Sequence, residues 1–335
     1  FLKNRTWVDY RAGLDDKEAF DRMVAGIKGI APGRGPEAQK EEISKGKLAE
    51  PGPLPSGSHL PFARNAVFTG RQSDLLTLAN CLLHNPSGQD VIITQAAAAA
   101  TGYGGIGKSQ LAVEFCYRYG RYFKGVYWIH TDQDILTEIS ICGKAMNLAP
   151  WPETLPDQVN TTLQAWTQNG PRLVILDNAE EPEVIQEWLP RLRKCRVLLT
   201  SRRGYWPPDM GLETYPLDTL PRNESLELLR KLAPQLEEIT DKELGEVAEH
   251  LGDLPLALDL AGRYLARRIR LTPKKYLKEL KEKGSSLKHQ SFAKEKGYNP
   301  TLHETSLAKT FALNWDELDN DLSKQIFKTC GYCAP

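Results

Sequence analysis

The chain has no net charge. Its 43 lysines and arginines are matched by 43 aspartates and glutamates, so no basic field exists to hold a polyanion indiscriminately, and nucleic-acid binding through bulk charge is disfavoured. No apolar run approaches the roughly 20 residues of a membrane-spanning helix. The opening FLKNRTWVDYR has neither an initiator Met nor the pattern of a signal peptide, so a piece of a longer chain, away from membranes, is expected. Cysteine is sparse. Of the six, only Cys330 and Cys333 are close together, in TCGYCAP, and one CxxC without a second pair is weak ground for zinc. Free thiols in a reducing cytoplasm are the expectation. No internal repeat is visible. What is present is an ordinary balance of apolar and charged residues. The 335 residues exceed the size at which single cores stop growing, about 250–300, so more than one domain is expected.

Residues 1–30 read as a short strand, RTWVDY, then a helix from about Asp15 to Lys28 with apolar Phe20, Val24 and Ile27 on one face. Residues 31–58, rich in Pro, Gly, Ser and Lys, read as a semi-extended linker. Over 59–220 strands and helices alternate, the pattern of a parallel sheet covered on both faces. The strands are VIIT (91–94), GVYWIH (125–130), RLVILD (172–177), RVLLTS (196–201) and ETYPL (213–217). The run Ala96 to Ala100 is too short for a stable helix and reads as a strand end. Over 221–300 the pattern turns helical. TDKELGEVAEHLG opens on a capping box, Thr240 with Glu243, and closes on Gly252. LPLALDLAGRYLARR is apolar nearly all round at its start, so it should be buried. TPKKYLKELKEKG takes Thr272 as N-cap, Pro273 at the first position and Gly284 past the end. Residues 284–300 read as a polar loop, and two more helices follow in 301–335. The fold class is therefore α/β, a P-loop parallel sheet with helices on both faces, followed by a helical domain.

The word P-loop rests on TGYGGIGKSQLAVEF, residues 101–115. Gly102, Gly107, Lys108 and Ser109 fit G-x-x-x-x-G-K-[ST], with a strand before and a helix after. A triphosphate is a dense anion that must be wrapped by donors. Glycines such as Gly102, Gly104, Gly105 and Gly107, with Ile106 between them, let successive amides point inward where a side chain would block the approach. The helix that starts near Lys108, and continues through Gln110, directs its unpaired N–H groups and positive dipole end at the phosphates. Lys108 adds a full charge, and Ser109 offers a hydroxyl to Mg²⁺. Asp177, closing RLVILD at the sheet edge where ligands bind, is placed to hold Mg²⁺ through water. Asn178 follows it, where a fast ATPase usually has a carboxylate; Glu180 or Glu181 could substitute from a loop. Arg202, after the strand RVLLTS, could reach a γ-phosphate and report its presence through a bidentate fork, whereas Arg203 reads as solvated.

The order FTGRQSDL, GYGGIGKS, LVILDN, LLTSR, LGDLPLAL resembles the NB-ARC class of signal-transducing (STAND) P-loop NTPases, over about residues 60–335. The resemblance implies that Val67, Phe68, Gly70 and Arg71 lie over the adenine and ribose, that Pro255 and Leu256 close on the base, and that Arg202 is the sensor arginine. It implies an ATP/ADP switch of bacterial immunity or signalling. ADP would hold the resting state, ATP would drive self-association that activates an effector, and sensor repeats would lie beyond Pro335. Asn178 in place of a second acid, and Ser201 where many members have Thr, depart from the pattern. Residues 301–335 look like the start of a winged helix, without the family's His–Asp pair. Residues 1–30, TWVDYRAGLDDKEAFDRMVAGIKG among them, are similar to the last strand and helix of a bacterial TIR domain; any NAD-cleaving activity would lie upstream. The alternatives are a turning-over ATPase and a nucleotide-gated DNA-binding regulator, the latter opposed by zero net charge and no basic helix.

Overall fold

The computed structural model describes residues 47–84, 90–95, 105–168 and 170–290. By its contacts the chain divides into Phe1–Lys47 and Leu48–Pro335, and everything below concerns the second unit. The strand and helix read over 1–30, the run Ala96–Ala100, Gly102, Gly104, the pair Cys330 and Cys333, and the winged-helix start lie outside the described residues.

Five strands form, each within a residue of where hydrophobic runs place it: β1 (Val91–Gln95), β2 (Val126–His130), β3 (Leu173–Asp177), β4 (Arg196–Thr200) and β5 (Glu213–Leu217). They make one parallel sheet in the order β2-β3-β4-β1-β5. All five residues of β3 are buried, as expected for a strand covered on both sides. One face carries Ile92, Tyr127, Ile129, Val174, Leu176, Val197 and Leu199 into a core with Ile139, Trp166 and Trp188. These last come from α3 (Ile135–Ala145), α4 (Leu155–Trp166) and α5 (Pro182–Trp188). The other face lies under α1 (Gln72–Ala79) and α2 (Lys108–Tyr119), which touch each other; α2 also rests on β4. β5 is an edge strand, where the missing N–H of Pro216 costs little.

Four helices follow the sheet: α6 (Arg222–Leu232), α7 (Asp241–His250), α8 (Pro255–Arg267) and α9 (Pro273–Gln290), the helical part of the chain. They have their own core, built on Leu229, Leu244, Val247, Leu258, Leu265, Tyr276 and Leu280. Thr240 caps α7, its hydroxyl accepting from the Glu243 amide at 3.3 Å, and the Glu243 carboxylate meets that hydroxyl rather than the Thr240 backbone N–H. Helix α9 runs on to Gln290, past Gly284; one glycine costs a helix only about 1 kcal/mol, too little to end it unaided. Among the described residues no helix is long and apolar enough to cross a membrane. Cys81, Cys116, Cys142 and Cys195 are free thiols.

Asp90 opens β1 beneath the sheet, accepting from the Val197 amide at 3.0 Å. Burial pushes its carboxyl from the ordinary 3.8 up to about 6, against the lowering effect of that amide and of Arg196. The folded chain therefore binds this proton more tightly than the unfolded one, and its contribution to stability falls as pH rises from about 4 to about 6. The total is up to about 3 kcal/mol. Asp90→Asn is expected to be more stable than the parent at pH 7 and equal to it near pH 4, as read by urea midpoints. A variant no more stable at pH 7 contradicts this.

Candidate functional site

The carboxyl-end side of β2, β3 and β4, the N-terminus of α2 and the N-terminus of α8 surround one cleft of about 740 Å³. Its floor is the end of the phosphate-loop motif. Gly105 and Gly107 take φ of 101° and 96°, backbone that a side chain would strain. Gly107 precedes α2, so Lys108 and Ser109 stand in the first turn of that helix. Ser109 Oγ donates to Asp177 Oδ1 at 2.8 Å, and Thr200 Oγ1 donates to the same oxygen at 2.5 Å. Asp177 is 4% exposed and lies beneath the cleft rather than in its lining. Lys108 is 8% exposed. Burial lowers its pKa; Glu180 and Asp177 oppose the drop and Arg202 adds to it.

Arg202 lines the cleft, tethered by Glu180, whose Oε1 accepts from the Arg202 backbone N–H at 2.8 Å and from its Nε at 3.2 Å. Arg203 turns away, donating to the carbonyls of Tyr205 and Glu180. Asn178 adopts φ 59°, its amide on Thr200 Oγ1 at 3.1 Å. Its side-chain Nδ2 donates to Asp132 Oδ2 at 3.1 Å.

The segment before α1 forms one wall. Phe62 packs edge-on against Trp128 at 5.1 Å. Arg64 makes a bidentate pair with Glu114 of α2 at 2.8 and 2.9 Å. Asn65 then turns the chain by accepting from the Val67 amide at 3.1 Å, which exposes Val67 and Phe68 to the cleft. Gly70 does not line it. Glu224 of α6 occupies the space a Gly70 side chain would need, its carboxylate 2.0 Å from where a Cβ would be, and accepts from the Arg71 amide at 3.1 Å. Arg71 borders the cleft at 6% exposure. Its Nη2, however, is spent on two carbonyls, Ile106 at 3.1 Å and Asp218 at 2.7 Å, and its Nη1 is 3.6 Å from Asp74. Arg71 is thus a brace joining the phosphate loop to the connection between β5 and α6.

The helices after the sheet supply the roof. Pro255 and Leu256 line the cleft, and the Leu256 amide donates to the Gly105 carbonyl at 3.1 Å. A Cβ on Gly105 would meet Leu256 at 3.0 Å. The turn before α8 is clamped by Arg222, bidentate on Asp253 at 2.8 and 2.8 Å. Asp259 and Arg263, ion-paired at 2.8 Å, continue the same face of α8. The structure therefore gathers Val67, Phe68, Arg71, Gly105 to Gln110, Arg202, Pro255 and Leu256 round one space. Sequence reasoning missed Asp132, two residues past β2 at the ligand edge, and Asp259 with Arg263, one and two helical repeats beyond Pro255. The sheet-edge rule and the i, i+4 spacing were the signals for them.

No protein-family model matches the chain. Among curated proteins it is similar to "Regulatory protein AfsR" of Streptomyces griseus, 29% identical over 221 residues that cover 60% of this chain and 21% of that protein. It is also similar to "Regulatory protein AfsR" of Streptomyces coelicolor, 27% identical over 217 residues, 62% of this chain and 21% of that protein. The chain thus spans about a fifth of the length of the curated relatives it matches. Among solved structures it is similar to the Walker-type ATPase of Pyrococcus abyssi, with TM-score 0.45 and 14% identity over 69% of this chain and 77% of that one. A STAND protein with a tetratricopeptide repeat sensor from Pyrococcus horikoshii gives TM-score 0.41 and 17% identity over 77% and 41%.

Proposed function

We propose that this chain is the nucleotide-binding core of a signal-transducing P-loop switch of the STAND, NB-ARC type. In it ADP holds the resting state, and ATP favours an open, self-associating one that activates an N-terminal effector ending in the TIR-like segment 1–30. The observation that carries the reading is the direct seat of the helical domain on the phosphate loop, Leu256 N–H on Gly105 O. A ligand in this cleft touches both domains at once and so can bias their arrangement. The curated relatives are named as regulatory proteins, which accords with a switch.

Loop amides, the α2 N-terminus and Lys108 suit a diphosphate tail. Val67, Phe68, Leu228 and Pro255 offer an apolar slot for a purine. The Ser109 hydroxyl and Asp177 carboxylate, in contact at 2.8 Å, are hard oxygen donors suited to Mg²⁺. Among the described residues no cluster of three or more His, Cys, Asp or Glu forms an all-protein cage, so phosphate oxygens and water would complete the shell. When bound, the ion would neutralise charge on the phosphates.

A ligand moves a two-state equilibrium only by its differential affinity. Arg202 supplies the difference here. Its guanidinium is paired with Glu180 on a side chain 55% exposed, one contact a γ-phosphate could compete for and ADP could not. Arg202→Ala is expected to lower ATP affinity by about 10–100-fold, the worth of a charge-assisted hydrogen bond, while ADP affinity stays within about twofold. Calorimetry with both nucleotides checks this, and an equal loss for both removes Arg202 from the sensing role.

A further inference from the structure

The nucleotide site holds one carboxylate that the switch does not use. Two carboxylates line the cleft among the described residues, Asp132 and Asp259. Asp259 is ion-paired with Arg263 on the roof. Below the lining, Asp177 Oδ1 accepts from both Ser109 and Thr200, and Glu180 is tied to Arg202. Asp132 forms no ion pair among the described residues and, unlike Asp177, lines the cleft; its Oδ2 accepts from the neutral Asn178 side-chain amide at 3.1 Å.

Its placement follows from the sheet. β2 and β3 run side by side with His130 opposite Asp177, so the chain two residues past His130 reaches the level just beyond Asp177. Thr131 is pinned there: its N–H and its hydroxyl both donate to the Asp177 carbonyl, at 2.9 and 2.8 Å. Asn178 is pinned from the other side by Thr200 Oγ1 at 3.1 Å, in a left-handed backbone that asparagine tolerates. A neutral donor fixes the direction of a carboxylate without neutralising its charge. A lysine or arginine there would neutralise it. An aspartate at 178 would place two like charges about 3 Å apart, which one of them escapes only by holding a proton.

Resting on the nucleotide reading above, we infer that Asp132 is the general base of a slow ATP hydrolysis and that Asn178 is its positioning residue. The Asp132 carboxylate takes one proton from a water whose oxygen bonds to the γ-phosphorus. The bond from that phosphorus to the β-phosphate bridging oxygen breaks, its electron pair stays on ADP, and inorganic phosphate leaves. The proton then passes from Asp132 to solvent. The base thus comes from the turn after β2, the strand paired with β3, and Asn178, which reads in the sequence as a missing acid, is the group that aims it.

The test is single-turnover and steady-state hydrolysis of MgATP by the full chain, with ATP and ADP dissociation constants measured on the same preparations. Asp132→Asn is expected to lower kcat by about a hundredfold or more, the usual worth of a general base, with both dissociation constants held. Asn178→Ala should lower kcat by about tenfold with KM unchanged, and Asn178→Ser, which keeps a neutral donor, should recover part of that loss. Formate added to Asp132→Ala should restore turnover in proportion to its concentration. Unchanged kcat in Asp132→Asn, or a parent that binds ATP without hydrolysing it, overturns the assignment of Asp132 and leaves the switch standing. A parent that binds neither nucleotide overturns both.

Discussion

Lys108→Ala is expected to lose about a thousandfold in affinity for ADP and ATP alike, while the nucleotide-free protein stays at least as stable as the parent. The two halves of that result have one cause. Lys108 is 8% exposed and stands in the first turn of α2, at the positive end of a helix dipole, where a cation is disfavoured. Burial and Arg202 both work against its charge, and among the described residues no carboxylate forms an ion pair with it. The empty protein thus carries a desolvated cation that a polyanion would repay. Removing one partner of a buried charge pair costs about 3–5 kcal/mol, and about 1.4 kcal/mol is a factor of ten. Calorimetry gives the affinity and urea unfolding the stability. Retained tight binding counts against the phosphate cradle. Lost stability would mean that Lys108 braces the empty loop instead.

Arg71→Ala is expected to destabilise the folded chain by about 3–5 kcal/mol, the penalty for breaking a buried, multiply bonded charge. It should weaken both nucleotides with it. The guanidinium is 6% exposed and leaves two carbonyl acceptors, Ile106 and Asp218, without a donor when it goes. Burial lowers its pKa, with Asp74 and Glu224 opposing the drop. Arg71→Lys should recover less than half of the loss, because a single ammonium cannot reproduce the planar fork that spans both carbonyls. Because Ile106 belongs to the phosphate loop, affinity should follow stability across the two variants. A change under about 1 kcal/mol, or full rescue by lysine, would show that the brace carries no energy.

These two residues also mark how far the sequence could be read. The place of Lys108 in the first turn of α2 was legible because a local pattern fixes it: glycines, a lysine and a hydroxyl in register before a helix. The five strands were legible because sheet burial on both faces writes itself as continuous apolar runs, and Arg202 and Asp177 because each ends such a run. Arg71 reads as a nucleotide contact, and it does border the cleft. Its guanidinium, though, is committed to Ile106 and to Asp218, 147 residues away, a pairing that spacing along the chain cannot reveal. Gly70 reads as part of the nucleotide cover, whereas the space it leaves is filled by Glu224 of α6. Asn178 reads as a missing acid because its partner, Asp132, lies 46 residues earlier in the turn after β2. Local chemistry is written locally, and contacts across the sheet or between domains are not.

The bond between Leu256 and the Gly105 carbonyl has a geometric corollary. A planar trans peptide holds its C=O and its N–H on opposite sides. With the carbonyl of Gly105 drawn up to α8, the N–H of Ile106 is obliged to face away from that helix. Lift α8 and the Gly105 carbonyl loses the Leu256 amide, its partner among the described residues, and glycine at 105 lets the peptide turn more readily. On the proposed reading, the grip on a phosphate and the seating of α8 would share a single amide plane, so that whatever lifts α8 would loosen the ADP that holds the closed arrangement.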